Sequence, residues 1–307
     1  MDARWLKSLQ EIREPLVTRF APSPTGYLHL GHAFALLYVH AVAEVFGAQV
    51  LLRIEDHDRQ RCRPEYEQAI LDDIAWLGLY PDNWTQITSS SSSYRQRTRY
   101  ARYDAISQQL RKQEKAYYCS CSRKQLMQQQ PLHHPELYYS GFCRDRGLLL
   151  APDTGLRWQI APQTVDWIDA LYGKQQQNPA EECGDLLIQD RHGNFTYNFC
   201  VVVDDLDQGV NLVVRGTDLL HCTGRQILLA KEIGACRPTH FLHHPLLTDS
   251  QQRKLSKRSL SKGLIQRRLA GETPRQVFGE ALFLAGLTEF YQPFTSIESV
   301  SLLKTNF

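Results

Sequence analysis

Two short strings in this chain carry side chains suited to phosphate chemistry. His29-Leu30-Gly31-His32 sets two imidazoles three residues apart, and Lys254-Leu255-Ser256-Lys257-Arg258 gathers three cations far downstream. At a helix start, residues at that spacing share one face, beside backbone N–H groups and the positive end of the helix dipole. Each imidazole can donate a hydrogen bond as negative charge builds up on phosphate oxygens in a transition state. Gly31 leaves room where a flat base or a ribose needs close approach. A lysine is a flexible point charge that can follow a triphosphate as it changes shape. A third group, Cys119, Cys121 and Cys143, bunches soft ligands as a metal site needs. Tetrahedral zinc wants a fourth ligand, and spacing alone leaves it open among His133, His134 and the Tyr138-Tyr139 pair.

These groups need a scaffold to bring them together. Residues 15–20, PLVTRF, read as a short buried strand, and APSPTG supplies turn chemistry. The apolar, Ala-rich run from His29 to about Phe46 reads as a helix stopped by Gly47, and QVLLRIED as a second strand. Strand, loop, helix, strand is the order of a parallel crossover unit. Parallel α/β sheets bind ligands beyond the carboxyl ends of their strands, where the loop before His29 and the residues after Ile54 lie. An amphipathic helix is expected over 64–79 and another from about Tyr94 to Lys115. The run Ser89–Ser93 reads as a linker or helix-entry loop. Residues 146–185 read as irregular or antiparallel β structure, and DLLIQ through VVRGTDLL as strands separated by DRHGN and DLDQG turns. Helical periodicity returns at Gly224–Ile233 and in PRQVFGEALFLAGL near the C-terminus. No internal repeat is found.

Composition bounds the rest. The chain has 307 residues, 35 basic and 33 acidic, for a net charge of +2. A dedicated electrostatic binder of nucleic acid is usually far more basic. Local clusters, Arg95, Arg97, Arg99 and Arg102, and then Arg253, Lys254, Lys257, Arg258 and Lys262, could still meet phosphates. No apolar run reaches the ~18 residues of a membrane span, and the first residues lack a signal-peptide pattern. A cytoplasmic protein with no membrane partner is expected. Eight cysteines do not suggest a disulfide framework. Those outside the cluster, Cys62, Cys183, Cys200, Cys222 and Cys236, read as small buried apolar residues.

RFAPSPTGYLHLGH, LLRIEDHD, YNFCVVVDD, VVRGTDLL and KLSKR, in this order, closely resemble class I glutamyl-tRNA synthetases over roughly residues 17–290. The resemblance implies an α/β fold: a Rossmann-type parallel-sheet nucleotide-binding core, an inserted zinc-containing region and a short helical C-terminal tail. The corresponding plan is 1–115 and 186–262 for the two halves of the core, 116–185 for the inserted zinc-containing, acceptor-stem-like region, and 263–307 for the tail. It also implies His29, Gly31, His32 and Lys257 as ATP contacts, with His29, His32, Lys254 and Lys257 stabilising charge in catalysis. Arg19, Phe20, Ala21, Pro22, Ser23, Glu55, Tyr197 and Arg215 would hold glutamate: arginine forks suit its carboxylates, and Glu55 its ammonium. The implied metal is one structural zinc on Cys119, Cys121, Tyr139 and Cys143. Magnesium would accompany ATP.

Few residues follow Arg258, too few for an independent anticodon-binding domain. This shape resembles the shortened glutamyl-Q tRNA(Asp) synthetases, which activate glutamate with ATP and transfer it to queuosine in the anticodon of tRNA(Asp). Many shortened members lose the second histidine of HLGH; this chain keeps His32. The expected partners are therefore glutamate, ATP and queuosine-containing tRNA(Asp), with a monomer favoured. The alternatives are a truncated glutamate–tRNA(Glu) ligase and a non-catalytic, zinc-containing RNA-binding paralogue.

Overall fold

A computed structural model describes residues 1–88, 93–128, 137–235, 239–248 and 262–305. Lys254, Lys257 and the rest of KLSKR, His133, His134, Cys236 and the serines at 89–92 lie outside the described residues.

Helix α1 (Ala3–Gln10) begins at Asp2, whose carboxylate accepts the Arg4 and Trp5 N–H groups, and it buries Trp5 against Phe46. Strand β1 (Val17–Phe20), helix α2 (Leu30–Phe46) and strand β2 (Gln49–Leu52) form the expected crossover, with β1 and β2 paired in parallel. Helix α2 is apolar almost all round, because β1 and the later strand Leu212–Gly216 lie against one side and the C-terminal helices against the other. The outer edge of β2 is closed by Asn83, whose amide accepts from Leu52 N–H at 2.8 Å and donates to Leu52 O at 3.0 Å. Helices α3 (Pro64–Leu77), α4 (Trp84–Ile87) and α5 (Tyr100–Lys112) follow, α5 being entered through a short 3₁₀ turn at Gln96–Arg99.

Next come strand β3 (Ala116–Cys119), helix α6 (Arg123–Gln128) and strands β4 (Gly155–Trp158), β5 (Val165–Asp169) and β6 (Gly173–Gln177). Helix α7 (Pro179–Glu182) and strand β7 (Leu186–Gln189) complete this stretch. Strands β3, β4 and β7 make a separate antiparallel sheet, whereas β5 and β6 are a hairpin whose first strand joins the parallel sheet beside the later strand His240–His244. The segment 116–185 thus divides between two sheets.

The run YNFCVVVDD, expected as a strand, is helix α8 (Tyr197–Asp207). Its β-branched residues favour a strand only weakly, and a short apolar run bears no period that separates a strand from a helix buried on several sides. Here Phe199, Cys200, Val201, Val202 and Val203 are all buried, in one cluster with residues of α5 and β7. Strand β8 (Leu212–Gly216), helix α9 (Thr223–Glu232) and strand β9 (His240–His244) form the second parallel crossover. Helices α10 (Leu264–Leu269), α11 (Pro274–Leu284) and α12 (Ser296–Lys304) close the chain, and α11 and α12 pack on α2.

The two crossovers meet at β1 and β8. Asn211 N–H donates to Val17 O at 3.1 Å, and Val17 N–H donates to the Asn211 side chain at 2.9 Å. From this seam one crossover runs outward to β2 and the other the opposite way to β9. That reversal makes the seam the topological switch point, where open α/β sheets bind ligands.

Candidate active site

From β1 the Arg19 side chain reaches β8, donating from Nη1 to Val214 O at 3.3 Å. Its Nε donates to Asp205 at 3.1 Å. Arg53, wholly buried just past β2, donates from Nη1 to the same carboxylate at 2.6 Å and from Nη2 to Glu55 at 3.2 Å. Burial of an ion costs several kcal/mol unless partners surround it. Burial alone would loosen the Arg53 proton; Asp205, Glu55 and Asp204 more than reverse this, so Arg53 stays charged. Burial pushes the Glu55 carboxyl up, against the pull of Arg53, His57 and Arg19. An ammonium arriving there would favour its charged form. Asp205 goes the other way: burial opposes ionisation, but Arg19 and Arg53 hold it below the ordinary carboxylate range.

Phe20, Ala21, Pro22 and Ser23 run beside the segment after β2, since Arg53 N–H donates to Phe20 O and Glu55 N–H to Pro22 O, both at 3.0 Å. From β8, Arg215 enters the same space and interacts with Tyr197 and Arg19. Its guanidinium is held by His243 Nε2 at 3.0 Å, Gln226 Oε1 at 2.6 Å and Thr223 Oγ1 at 2.9 Å. Tyr197 heads α8, and burial, with Glu55 adding to it, pushes its phenol up to about 12 despite Arg215 and Arg19. Arg19, Glu55, Tyr197 and Arg215 therefore lie close enough to sense one another's charge at one crevice. Arg53, Asp204, Asp205, Gln226 and His243 were not picked out from sequence. The available signals were a lone arginine inside the apolar LLRIED and the acidic pair closing FCVVVDD.

At the start of α2, His29 is the N-cap. Its Nδ1 accepts from Gly31 N–H at 3.1 Å, while its own N–H donates to His32 Nδ1 at 3.1 Å. The rings lie 4.0 Å apart. With both Nδ1 atoms accepting, each neutral ring carries its proton on Nε2, which makes Nε2 the donor nitrogen. A Cβ at Gly31 would come within 3.0 Å of the His29 ring, so the missing side chain first serves the fold of the cap.

The arginines of the first basic cluster are all paired with carboxylates. Arg95 pairs with Glu67 at 2.6 Å; Arg97 pairs with Asp56 and Glu67; Arg99 with Asp204 and Asp207; Arg102 with Asp207. Regular spacing on a helix entry hid acids that come from three other segments. Cys183, Cys200 and Cys222 are buried as expected, while Cys62 is half-buried.

The sulfurs of Cys119, Cys121 and Cys143 lie within 4.8 Å of one another, with Cys121 and Cys143 at 3.6 Å. A tetrahedron with Zn–S bonds of ~2.3 Å has edges of about 3.8 Å, so the thiols fit such an ion. Tyr139 is buried beside them and its hydroxyl accepts from Cys143 N–H at 2.9 Å. Burial opposes ionisation of Cys143, but hydrogen bonds from Tyr139, Ser120 N–H and the neighbouring thiols bring it down to about 7. Tyr139 is set in place by Gly184, at φ +68°, where a Cβ would sit 1.7 Å from the Tyr139 carbonyl oxygen. A cleft of about 790 Å³ runs from Tyr197 and Asn198 to Cys119, Cys121 and Tyr139, passing Arg157, Arg191 and Arg225.

No helix among the described residues is long and apolar enough to cross a membrane. Comparison with known proteins places this geometry in a family. The profile of tRNA synthetases class I (E and Q), catalytic domain, matches residues 15–144 and 151–305. A glutamyl-Q tRNA(Asp) synthetase of Nitratidesulfovibrio vulgaris is 37% identical over 300 residues, covering 94% of this chain and 91% of that protein. A glutamate–tRNA ligase of Legionella pneumophila is 38% identical over 268 residues, and the chain spans about half, 54%, of its length. The crystal structure of glutamate–tRNA synthetase from Elizabethkingia anophelis superposes with a TM-score of 0.74 at 25% identity, covering 94% of this chain and 65% of that one. The chain belongs to the class I tRNA synthetases for E and Q, by its catalytic domain.

Proposed function

We propose that this protein activates glutamate with ATP and transfers it to queuosine in tRNA(Asp). The observation that carries the first half is the meeting of Arg19, Glu55, Tyr197 and Arg215 at the switch point, and α2, with His29 and His32 at its start, follows β1 in the chain. Two arginines answer two carboxylates and Glu55 answers an ammonium, the charge pattern of a dicarboxylic amino acid. The glutamate carboxylate attacks the α-phosphorus of ATP; glutamyl-adenylate forms and pyrophosphate leaves. Catalysis of this kind rests on positioning and on stabilising charge. The His29 and His32 Nε2–H groups donate to phosphate oxygens, and Lys257, helped by Lys254, follows the departing charge. Magnesium travels with ATP. A hydroxyl of the acceptor then attacks the activated carbonyl, and AMP leaves with the bonding pair.

The thiols of Cys119, Cys121 and Cys143 with the Tyr139 oxygen would hold one zinc that braces the segment bearing them. The acceptor assignment is supported by the relative of that name, which the chain matches over 91% of its length. A second reading, a ligase for tRNA(Glu), is favoured by the slightly higher identity, 38%, to glutamate–tRNA ligases and by the retained His32. Glutamate-dependent pyrophosphate exchange tests the activation step, and no exchange above background would reject it. Charging of queuosine-containing tRNA(Asp) against tRNA(Glu) then separates the acceptors.

A further inference from the structure

The segment expected to be an insertion sends one strand, β5, back into the parallel sheet, and that strand ends on Asp169. Asp169 is fully buried, and its carboxylate accepts four N–H groups. Oδ1 accepts from Leu171 and Tyr172 N–H at 3.0 and 3.1 Å; Oδ2 accepts from His243 N–H at 3.2 Å and faces His243 Nδ1 at 2.7 Å. An oxygen already accepting a backbone N–H receives another donor, so Nδ1 carries the His243 proton. That leaves Nε2 as an acceptor. It lies 3.0 Å from Arg215 Nε and 3.3 Å from the Thr223 hydroxyl. Gln226 and Thr223 take one N–H from each terminal nitrogen of Arg215. Three of its five donors are thus committed to the protein, and two remain for a ligand.

We infer that His243, 0% exposed, is a positioning residue for the glutamate-binding step. It converts the buried Asp169 charge into a fixed acceptor that holds the Arg215 guanidinium in register with the crevice. This rests on the reading that Arg215 contacts glutamate. A protonated His243, or one with the other tautomer, would oppose an N–H to an N–H and turn the fork away. Asp169 therefore contributes to substrate affinity without touching substrate.

The test is glutamate-dependent pyrophosphate exchange by the full chain carrying His243→Ala, His243→Gln or Asp169→Asn. Losing a hydrogen bond to a charged group costs roughly a ten- to hundredfold change in affinity. His243→Ala should raise KM for glutamate by about that factor while KM for ATP moves less than about twofold. His243→Gln, whose side-chain oxygen can accept from Arg215 Nε, should recover most of the loss. Asp169→Asn keeps shape but places an amide donor against Nδ1, reversing the tautomer, so it should raise KM for glutamate with residue 243 unchanged. In an Arg215→Lys background, His243→Ala should add nothing. Unaltered glutamate KM in both His243→Ala and Asp169→Asn, or equal rises in both KM values, overturns the inference; if alanine prevents folding, the glutamine and asparagine variants decide it. Absence of exchange in the unsubstituted chain would instead remove the glutamate reading and this inference with it.

Discussion

Asp205→Asn probes the charge pattern that the candidate site depends on. Asp205 is the shared partner of Arg19 at 3.1 Å and Arg53 at 2.6 Å. Arg53 is fully buried, so removing the shared anion strands it with Glu55 at 3.2 Å and Asp204 at 3.8 Å. Breaking a buried pair from one side costs about 3–5 kcal/mol. The Asp205 side chain keeps 15% exposure, which points to the low end of that range. At ~2–4 °C per kcal/mol for a large domain, a loss of about 3 kcal/mol lowers Tm by on the order of 6–12 °C. Arg19 loses its Nε anchor as well, so glutamate KM in pyrophosphate exchange should rise more than about tenfold. The pH dependence has a definite sign. The Asp205 carboxyl is depressed in the folded state, so its contribution is complete above the unfolded carboxylate pKa of ~3.9 and fades as pH falls through the lower folded value. The gap between variant and parent Tm should be constant from pH 6 to 8 and narrow toward pH 3. A variant with unchanged Tm and unchanged glutamate KM would refute the account of a site built on compensated buried charge.

Lys257→Ala should lose most adenylate formation while Tm stays near the parent value, and normal exchange rates would contradict its assigned role. Metal analysis should find about one zinc per chain, and Cys143→Ser should reduce it to background; a metal-free parent prepared without chelators would remove the site. Gly184→Ala forces a Cβ to within 1.7 Å of the Tyr139 oxygen at a positive φ, so soluble yield and Tm should fall sharply, and an unchanged Tm would show that Tyr139 is placed by something else. Burial raises the Asp73 carboxyl to about 7, with Arg268 only partly offsetting this. A raised carboxylate pKa takes stability away as pH climbs from the unfolded value to the folded one. Asp73→Asn should therefore increase Tm at pH 8 by more than at pH 5, and a pH-independent difference would count against that assignment.

The first crossover was legible because its parts are local. The strand before APSPTG, the Ala-rich helix and the glycine that stops it are written in consecutive residues, and the structure places them at 17–20, 30–46 and 47. The cysteine cluster was legible for a similar reason, since soft ligands within a short stretch have few other uses. Helix α8 was not, because its period is erased by burial on several sides; only the packing of α5 and β7 around it selects a helix. The arginine cluster was legible only in part: a sequence shows cations in a row but not acids arriving from Glu67, Asp56, Asp204 and Asp207.

By itself the sequence determined which chemistry was on offer: imidazoles at a helix start, arginines and a glutamate near strand ends, and three clustered thiols. Tertiary structure alone decided which of these would meet and in what electrical state. Arg19, Glu55, Tyr197 and Arg215 come from four separated segments, brought to one crevice by two crossovers that run in opposite directions from β1 and β8. Burial and Arg53 set the electrical state of Glu55, Asp205 anchors Arg19, and His243 holds Arg215, and no local pattern announces the importance of these three partners. Electrostatic energy depends on distance and desolvation, and neither exists until the chain has folded.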